Sequence, residues 1–264
     1  MRTLLLLLLL VLSVPFAAAQ DASPSEASAF LNAMAYVPTS PLVTAGTPMV
    51  SYVDYRASIL ARGLDIPADW AAFAASEMQS TILFALPNAG PTYMLQSLMS
   101  GGPRYEQTIG VDFFDIHQAV EVGMPPAQGQ ILIGDINPLF VVTIYALRGY
   151  TAEERDGGTL LCPKAGCYTG TRVSLADRDP ANPFVGMLGR SELAFVADGI
   201  FLNSPSLDMM EALIATYTGD APSLADNIDV QAFDALLNAD PYVSSVVLFT
   251  PLDFGAMNIA AMLG

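Results

Sequence analysis

Residues 193–204 read LAFVADGIFLNS, so two apolar runs flank Asp198 and Gly199. An Asp-Gly pair readily adopts the positive φ angles of a tight two-residue turn, and the stretch therefore predicts a β-hairpin. Other short apolar segments, bounded by turn-forming residues, predict strands at 81–86, 111–116, 130–135, 159–161 and 243–249. We expect an α+β fold, with a mostly antiparallel sheet and helices packed on one face.

The clearest helix signal follows the strand expected at 130–135. Asn137 can cap a first turn, and Pro138 has the fixed φ angle that suits the first helical position. The residues from there to 148 are apolar nearly all round the helix, which predicts burial on more than one side. Apolar residues at helical spacing predict further helices around 24–34, 52–63, 69–78, 93–99, 205–217 and 230–237.

Changes in composition divide the chain into four parts. Residues 1–19 form a leader, and residues 20–50 hold a short helix and a proline-rich linker. Strands and helices then recur in 51–165 and in 166–264, which predicts two α+β halves of similar make-up. No clear sequence repeat relates them, and the sequence ends soon after its last expected strand, so a duplicated fold and a truncated second half both stay open.

The leader has the order of features found in secretory signal peptides. Arg2 precedes an unbroken leucine run, and Ala17, Ala18 and Ala19 precede Gln20. A charged start, an apolar core and a small-residue exit predict cleavage after Ala19. The alternative is an uncleaved membrane anchor, for which the apolar core is short. We therefore expect a secreted protein, or one of the bacterial periplasm or cell envelope, with no transmembrane span after cleavage.

Cys162 and Cys167 are the two cysteines of the chain, and they enclose four residues. In an oxidising compartment such a pair predicts a disulfide across a tight loop. Two thiols with no histidine nearby are too few for a zinc site, which usually takes four ligands. The spacing also differs from the C-x-x-C motif of thiol redox enzymes.

The charge balance restricts the possible partners. Lys and Arg number 10 against 26 Asp and Glu, which gives a formal charge of -16 and a pI near 4.1. Binding to nucleic acid needs clustered basic residues, and so does a polybasic membrane-surface patch, so both are disfavoured. With 53% apolar residues, the chain is also too hydrophobic to be a disordered acidic segment.

His117 is the single histidine of the chain, and Asp112 and Asp115 lie close to it in sequence. It is a candidate acid or base, because imidazole titrates near neutral pH. The alternative is a histidine at the end of a strand with no chemical role.

A loop rich in oxygen ligands is the candidate metal site. Asp177, Asp179 and Asn182 could hold calcium, which takes six to eight oxygens from such loops. The loop lacks the glycine and the final glutamate of an EF-hand, and Asp and Asn beside Pro180 are also ordinary turn residues. Both interpretations therefore remain.

Sequence motifs for catalysis or cofactor binding are missing. There is no G-x-S-x-G, no P-loop, no G-x-G-x-x-G after a strand and no H-E-x-x-H. We therefore expect no cofactor and a non-enzymatic binding or interaction protein, whose partner is an unknown protein or an apolar ligand. One alternative is a carrier of a lipid-like ligand, since methionine and aromatic side chains can line an apolar groove. Another is a hydrolase that uses His117 or acidic residues.

Several turn and cap motifs follow one another along residues 110–250. They are ADGIFLNS at 197–204, SLAD at 223–226, NPF at 182–184 and LGR at 188–190. In this order they resemble exported bacterial proteins that are classed only as domains of unknown function. The resemblance implies an exported α+β protein, and it supplies no activity and no catalytic position.

Overall fold

The computed structural model describes residues 28–39, 49–86, 104–123, 127–167, 173–178, 184, 189, 191–237 and 245–249. The predicted leader at 1–19 and the helix predicted at 93–99 lie outside these residues. Within them, an antiparallel sheet and several helices form an α+β fold, which confirms the predicted class.

The sheet has eight strands in the described part of the chain, and every neighbouring pair is antiparallel. The hairpin predicted from Asp198 and Gly199 is confirmed, and Gly199 has a φ angle of +71°. The strands are β1 (Met49–Asp54), β2 (Ile116–Val122), β3 (Gly129–Gly134), β4 (Tyr150–Arg155), β5 (Gly158–Pro163), β6 (Leu193–Ala197), β7 (Ile200–Ser204) and β8 (Ser245–Phe249). Their order across the sheet is β4-β5-β6-β7-β3-β2-β1-β8.

The strand order contains two groups of three neighbouring strands. β1, β2 and β3 lie side by side, as do β5, β6 and β7, and the groups meet where β3 pairs with β7. After β3, a helical connection leads to β4, which pairs with β5 at the outer edge of the second group. After β7, a helical connection leads to β8, which pairs with β1 at the outer edge of the first group. Strands from 51–165 and from 166–264 therefore share one sheet.

Eight α-helices accompany the sheet in the described residues, and short polar side chains begin several of them. Ser28, Asp54, Asp69, Asn137 and Ser206 each accept a hydrogen bond from a backbone N–H of a first turn. The helices are α1 (Ala29–Met34), α2 (Tyr55–Leu60), α3 (Trp70–Ala75), α4 (Gln79–Ala85), α5 (Arg104–Ile109), α6 (Pro138–Leu147), α7 (Leu207–Tyr217) and α8 (Ile228–Leu237). Among these helices, none combines the length and the hydropathy that crossing a bilayer demands.

The helices cover both faces of the sheet, so the prediction that they pack on one face is wrong. The physical reason is visible in β6, where every residue is buried although successive side chains point to opposite faces. Helices α2–α6 cover face A, which carries Val53, Ala119, Leu132, Val196 and Phe201. Helices α1, α7 and α8 cover face B, which carries Tyr52, Val120, Ile131, Phe195 and Leu202.

Helix α6 begins after Asn137 as predicted, but its predicted burial on more than one side is wrong. It packs on face A through Val141 and Tyr145, both fully buried. On its other side, Leu139 is 75% exposed and Leu147 is 81% exposed. No described element covers that side, so one stripe of the helix closes the core and the rest meets solvent.

Three local predictions are wrong because pairing partners decide between helix and strand for short apolar runs. The helix predicted at 52–63 begins instead as β1, in which Val53 pairs with Ala119 of β2. The strand predicted at 81–86 belongs to α4, which buries Ile82 on face A. The strand predicted at 111–116 contains a 3-10 turn at Phe113–Asp115, and β2 starts only at its end.

The predicted cysteine pair is confirmed at disulfide distance. The sulfurs of Cys162 and Cys167 are 2.03 Å apart and their Cα atoms are 4.7 Å apart. Cys162 is buried at the end of β5, whereas residues 164–166 turn at the surface. The bridge therefore ties an exposed loop to the sheet.

We expect the double substitution Cys162→Ala and Cys167→Ala to lower the free energy of unfolding by about 2 kcal/mol, because a chain without this short loop has more entropy when unfolded. Urea unfolding of the oxidised wild type and of the variant measures the difference. Dithiothreitol should lower the stability of the wild type by a similar amount and should leave the variant unchanged. Equal stability of the three samples would contradict the expectation.

Candidate functional site

An open cleft of about 820 Å³ lies on face B, between α1, α7 and the loop at 219–226. Gln118 of β2 and Ile133 of β3 reach it from the sheet. The loop turns back over the cleft because Gly219 has a φ angle of +81° and the Asp220 N–H donates to the Ala215 carbonyl, which ends α7. Elements distant in sequence therefore form its walls.

Aromatic and acidic side chains dominate the chemistry of this cleft. Tyr36 and Tyr217 stack with ring centroids 6.1 Å apart and an interplanar angle of 27°. Burial raises the pKa of Tyr36, and Tyr217 raises it further, so the Tyr36 hydroxyl is neutral at pH 7. Asp220 and Asp226 add carboxylates, and Lys and Arg do not occur among the described lining residues. The cleft therefore suits a neutral or positively charged molecule better than an anion.

Hydrogen bonds hold both carboxylates of the cleft in place. The Asp226 carboxylate accepts from the backbone N–H of Ser223 at 2.8 Å and from its hydroxyl at 2.9 Å. These two bonds lower the pKa of Asp226. The Asp220 carboxylate accepts from the Thr218 hydroxyl at 2.7 Å. A ligand would therefore meet carboxylates with fixed positions.

A β-bulge at His117 directs neighbouring side chains to different places. In a regular strand Ile116 and Gln118 would share a face. Here Ile116 packs on face A and Gln118 reaches the cleft on face B, because the register with β3 shifts between them. Gly134 lies against the bulge, and a Cβ there would be 1.9 Å from the Asp115 carbonyl oxygen. The bulge therefore requires glycine at this position.

His117, the candidate acid or base, lies between a carboxylate and a guanidinium. Its Nε2 atom is 3.1 Å from Oδ2 of Asp135 and 3.1 Å from Nη1 of Arg56. One ring nitrogen can donate to Asp135 or accept from Arg56, but it cannot do both at once. The two neighbours therefore favour opposite protonation states at this atom. The His117 side chain is 28% exposed, so solvent can reach it.

A carboxyl group beside His117 is also perturbed. Burial raises the pKa of Asp115 to about 6, the negative charges of Asp112 and Asp135 raise it further, and His117 opposes them. The structure thus brings His117 together with Asp115, and it adds Asp135, which directly follows β3. Asp115 is therefore a group able to exchange a proton near neutral pH.

A buried carboxyl group lies on face A, on the inner strand β2. Glu121 of β2 is 2% exposed, and burial raises its pKa to about 7. Its direct cross-strand neighbours are Ser51 of β1 and Gln130 of β3, which are also buried. Within the described residues, Oε2 of Glu121, Oγ of Ser51 and Oε1 of Gln130 have no hydrogen-bond partner. Buried polar atoms are nearly always paired, so this group marks a second candidate site.

Two tyrosine hydroxyl groups belong to the same site. Tyr55 of α2 and Tyr105 of α5 are buried on face A, and their hydroxyls have no partner in the described part of the chain. Burial raises the pKa of Tyr55, and nearby Glu121 raises it further; burial and then Tyr55 raise the pKa of Tyr105. Tyr55 is therefore close enough to interact electrostatically with each of the other two groups. We call the whole set the buried oxygen row: Ser51, Tyr55, Tyr105, Glu121 and Gln130.

The predicted calcium site stays a prediction. Asp177 ends a short 3-10 helix at Leu175–Asp177, and Asp179 and Asn182 lie outside the described residues. Where the structure describes the chain, the His, Cys, Asp or Glu side chains close enough to share a metal are Glu153, Cys162 and Cys167. The two sulfurs are bonded to each other, so they offer no thiolate to a metal.

Sequence reasoning identified His117 but missed the cleft and the buried oxygen row. Gln118 and Tyr217 meet in the cleft only through the fold, so no local pattern could reveal it. Glu121 did carry a signal, because it stands as a lone acid between Val120 and Val122. A charged residue enclosed by valines in a strand is a candidate for a buried functional group.

No family model matches the chain, and searches of curated proteins and of solved structures found no match. The interpretation of the cleft, of the His117 cluster and of the buried oxygen row therefore rests on their own geometry and chemistry.

We expect the free energy of unfolding to decrease as the pH rises through neutrality. The pKa of Glu121 is about 7 in the fold against an ordinary value of 4.5, so folding favours the protonated form. This contribution, about 3 kcal/mol, is complete below the ordinary pKa and is lost as the pH rises through the folded one.

Glu121→Gln should remove this part of the pH dependence and should be more stable than the wild type above neutral pH. Urea unfolding between about pH 5 and about pH 8.5, in buffers with organic cations, measures both proteins. Asp115 contributes in the same direction to both, so the difference between the two curves reports Glu121. Parallel curves would contradict the assignment.

Proposed function

We propose that this chain is an exported, non-enzymatic binding protein whose cleft on face B takes up a small polar ligand that is neutral or positively charged. The observation that carries the proposal is the cleft itself, of about 820 Å³, within the range of about 300–1,000 Å³ for small-molecule sites. Tyr36 and Tyr217 offer ring surface for stacking or for a cation–π contact. Asp220 and Asp226 favour a positive group.

The alternative of an apolar-ligand carrier has less support. The apolar pocket formed by Trp70, Phe73 and Phe114 measures about 10 Å³, which is room for about one water molecule and far too small for a lipid-like ligand. Helix α6 lines none of the pockets described. The cleft on face B has a much larger volume, and amide, hydroxyl and carboxylate groups line it together with aromatic rings. This lining suits polar molecules.

Two features support export. Residues 1–19 have the charged start, leucine core and alanine exit of a signal peptide. Cys162 and Cys167 lie at bonding distance, and such bonds are typical of secreted, periplasmic and cell-envelope proteins. In those places a polar ligand would reach the open cleft directly from solvent.

We expect calorimetric titration to detect binding of a cationic probe, spermidine, or a neutral probe, glucose, and no binding of anionic citrate. Asp220→Asn should weaken spermidine binding about threefold, because one charge pair in a partly exposed site is lost. Glucose binding should change less. Asp198→Asn removes an exposed acid outside the cleft lining and serves as the matched control. Binding of citrate in place of both other probes would contradict the proposed ligand class.

A hydrolase is the second candidate, and the contact of His117 with Asp135 favours it. In this function His117 would take a proton from an attacking water, and Asp135 would orient the ring. The bulge leaves His117 partly exposed, so a substrate could approach it.

We expect any hydrolysis found in a screen of ester, glycoside and peptide substrates to fall about 100-fold in His117→Ala, the typical contribution of a general base. Asp135→Asn should reduce the rate less. Glu154→Gln, which changes an exposed acid on β4, is the matched control. Activity that survives in His117→Ala would exclude this role for the histidine.

A further inference from the structure

Strand β4 forms one edge of the sheet in the described part of the chain, where β5 is the strand that pairs with it. Every residue of β4 after Tyr150 is exposed. The backbone groups on the outer side of β4 therefore pair with no other strand among the described residues. A row of backbone donors and acceptors of this kind can accept a further strand.

The turn between β4 and β5 determines which residues of β4 point outward. Arg155 and the residue opposite it flank a two-residue turn, and residues in that position exchange backbone hydrogen bonds. Bonded and non-bonded pairs alternate along a hairpin, so Tyr150, Ala152 and Glu154 direct their N–H and C=O groups away from β5. Pro163 lies opposite Tyr150 and agrees with this assignment, because proline has no N–H to donate.

A second copy of β4 fits this edge best when Ala152 lies opposite its own copy. Each symmetric antiparallel register places one residue on the two-fold axis. With Ala152 on the axis, Tyr150 faces Glu154 of the second copy, and all the outward-pointing residues of β4 form backbone hydrogen bonds. No other symmetric register uses all of them. A register centred on Glu153 or on Glu154 would also oppose like charges, which destabilises a strand pair.

The charges beside the axis suit the same register. The Arg148 guanidinium lies 5.2 Å from the centre of the Tyr150 ring, and its side chain is 21% exposed. Glu154 of the second copy, opposite Tyr150, therefore approaches a positive group. On face B, the Arg155 guanidinium is 3.3 Å from the Glu153 carboxylate of the same chain, which reduces the repulsion between the two Glu153 side chains across the axis.

Helix α6 supplies an apolar surface beside this edge. Tyr145, on its buried side, packs edge-on against Tyr150 with ring centroids 4.8 Å apart, so the helix lies over the start of β4. Leu139 and Leu147 are exposed, and the helix contains no charged residue. An exposed and uncharged helix surface is a candidate for contact with another protein. A two-fold axis perpendicular to the sheet keeps face A of both copies on one side, so both α6 helices flank the seam.

We propose that this protein forms a homodimer in which β4 pairs with β4 of a second copy, antiparallel and centred on Ala152. The two eight-stranded sheets then join into one continuous sheet. Face B of both copies points the same way, so the two clefts open on one side of the dimer. A strand pair of this length is a small interface, below about 1,200 Å² in total, and such interfaces belong to reversible complexes.

Sedimentation equilibrium between about 5 µM and about 500 µM tests the proposal, because a reversible complex of this size is expected to dissociate within that range. The wild type should change from monomer to dimer as its concentration rises. Ala152→Pro removes an N–H that faces the second copy, and an edge strand tolerates proline at such a position. It should raise the dissociation constant at least about tenfold, because a bond is lost from each copy. Ala152→Ser keeps the N–H and is the matched control, which should dimerise as the wild type does.

A thiol on the axis reports the register independently, including the case in which Ala152→Pro does not fold. In Ala152→Cys the two substituted positions would have Cα atoms about 5.5 Å apart, within disulfide range, so mild oxidation should give a covalent dimer. In Glu154→Cys they would be roughly 14 Å apart, and the same treatment should leave monomers. A wild type that stays monomeric at every concentration overturns the proposal. Equal crosslinking of the two cysteine variants also overturns it, as does a dimer of Ala152→Pro as strong as that of Ala152→Ser.

Discussion

The central strands of this protein are enclosed on both faces, and the remaining features follow from that constraint. Because side chains alternate between face A and face B, each central strand contributes to two cores. A polar side chain that points into either core cannot reach solvent, so it must find a partner in the interior. Asn203 does so by donating to the Leu193 carbonyl at 3.2 Å. Glu121 is similarly buried on the same face, but its Oε2 atom has no hydrogen-bond partner among the described residues. Its burial therefore needs a chemical reason.

Local signals in the sequence were sufficient for some elements and insufficient for others. The turn at Asp198, the cap at Asn137 and the cysteine loop depend on residues close together in the chain, and each was predicted correctly. The packing of helices on both faces of the sheet depends on contacts between residues far apart in sequence, and no short stretch of the sequence contains that information. The same holds for His117: Asp135 is 18 residues away from it, and Arg56 is 61 residues away. The residue type identified the candidate, but only the fold could supply its neighbours.

The bulge in β2 relates the three polar regions to one another. The residues just before His117 form the 3-10 turn and pack on face A. After His117, the side chain of Gln118 lines the cleft on face B, and that of Glu121 points to face A again. One inserted residue therefore separates the partly exposed cluster around His117 from the open cleft and from a buried carboxyl group within a single strand. Bulges commonly re-aim side chains in this way beside functional sites. Gly134 permits the arrangement because a side chain there would collide with the Asp115 carbonyl.

The pairing of β1 with β8 has a consequence for how the molecule is made. Val50 is synthesised early, yet its partner Leu248 emerges only after every other described strand. Until then β1 presents an open row of backbone donors and acceptors, to which another unfinished chain could add. Contacts of such long sequence separation also form slowly. During biosynthesis, the nascent polypeptide is therefore prone to aggregate until β8 has been made and can pair with β1. A holding chaperone would be most useful in that interval.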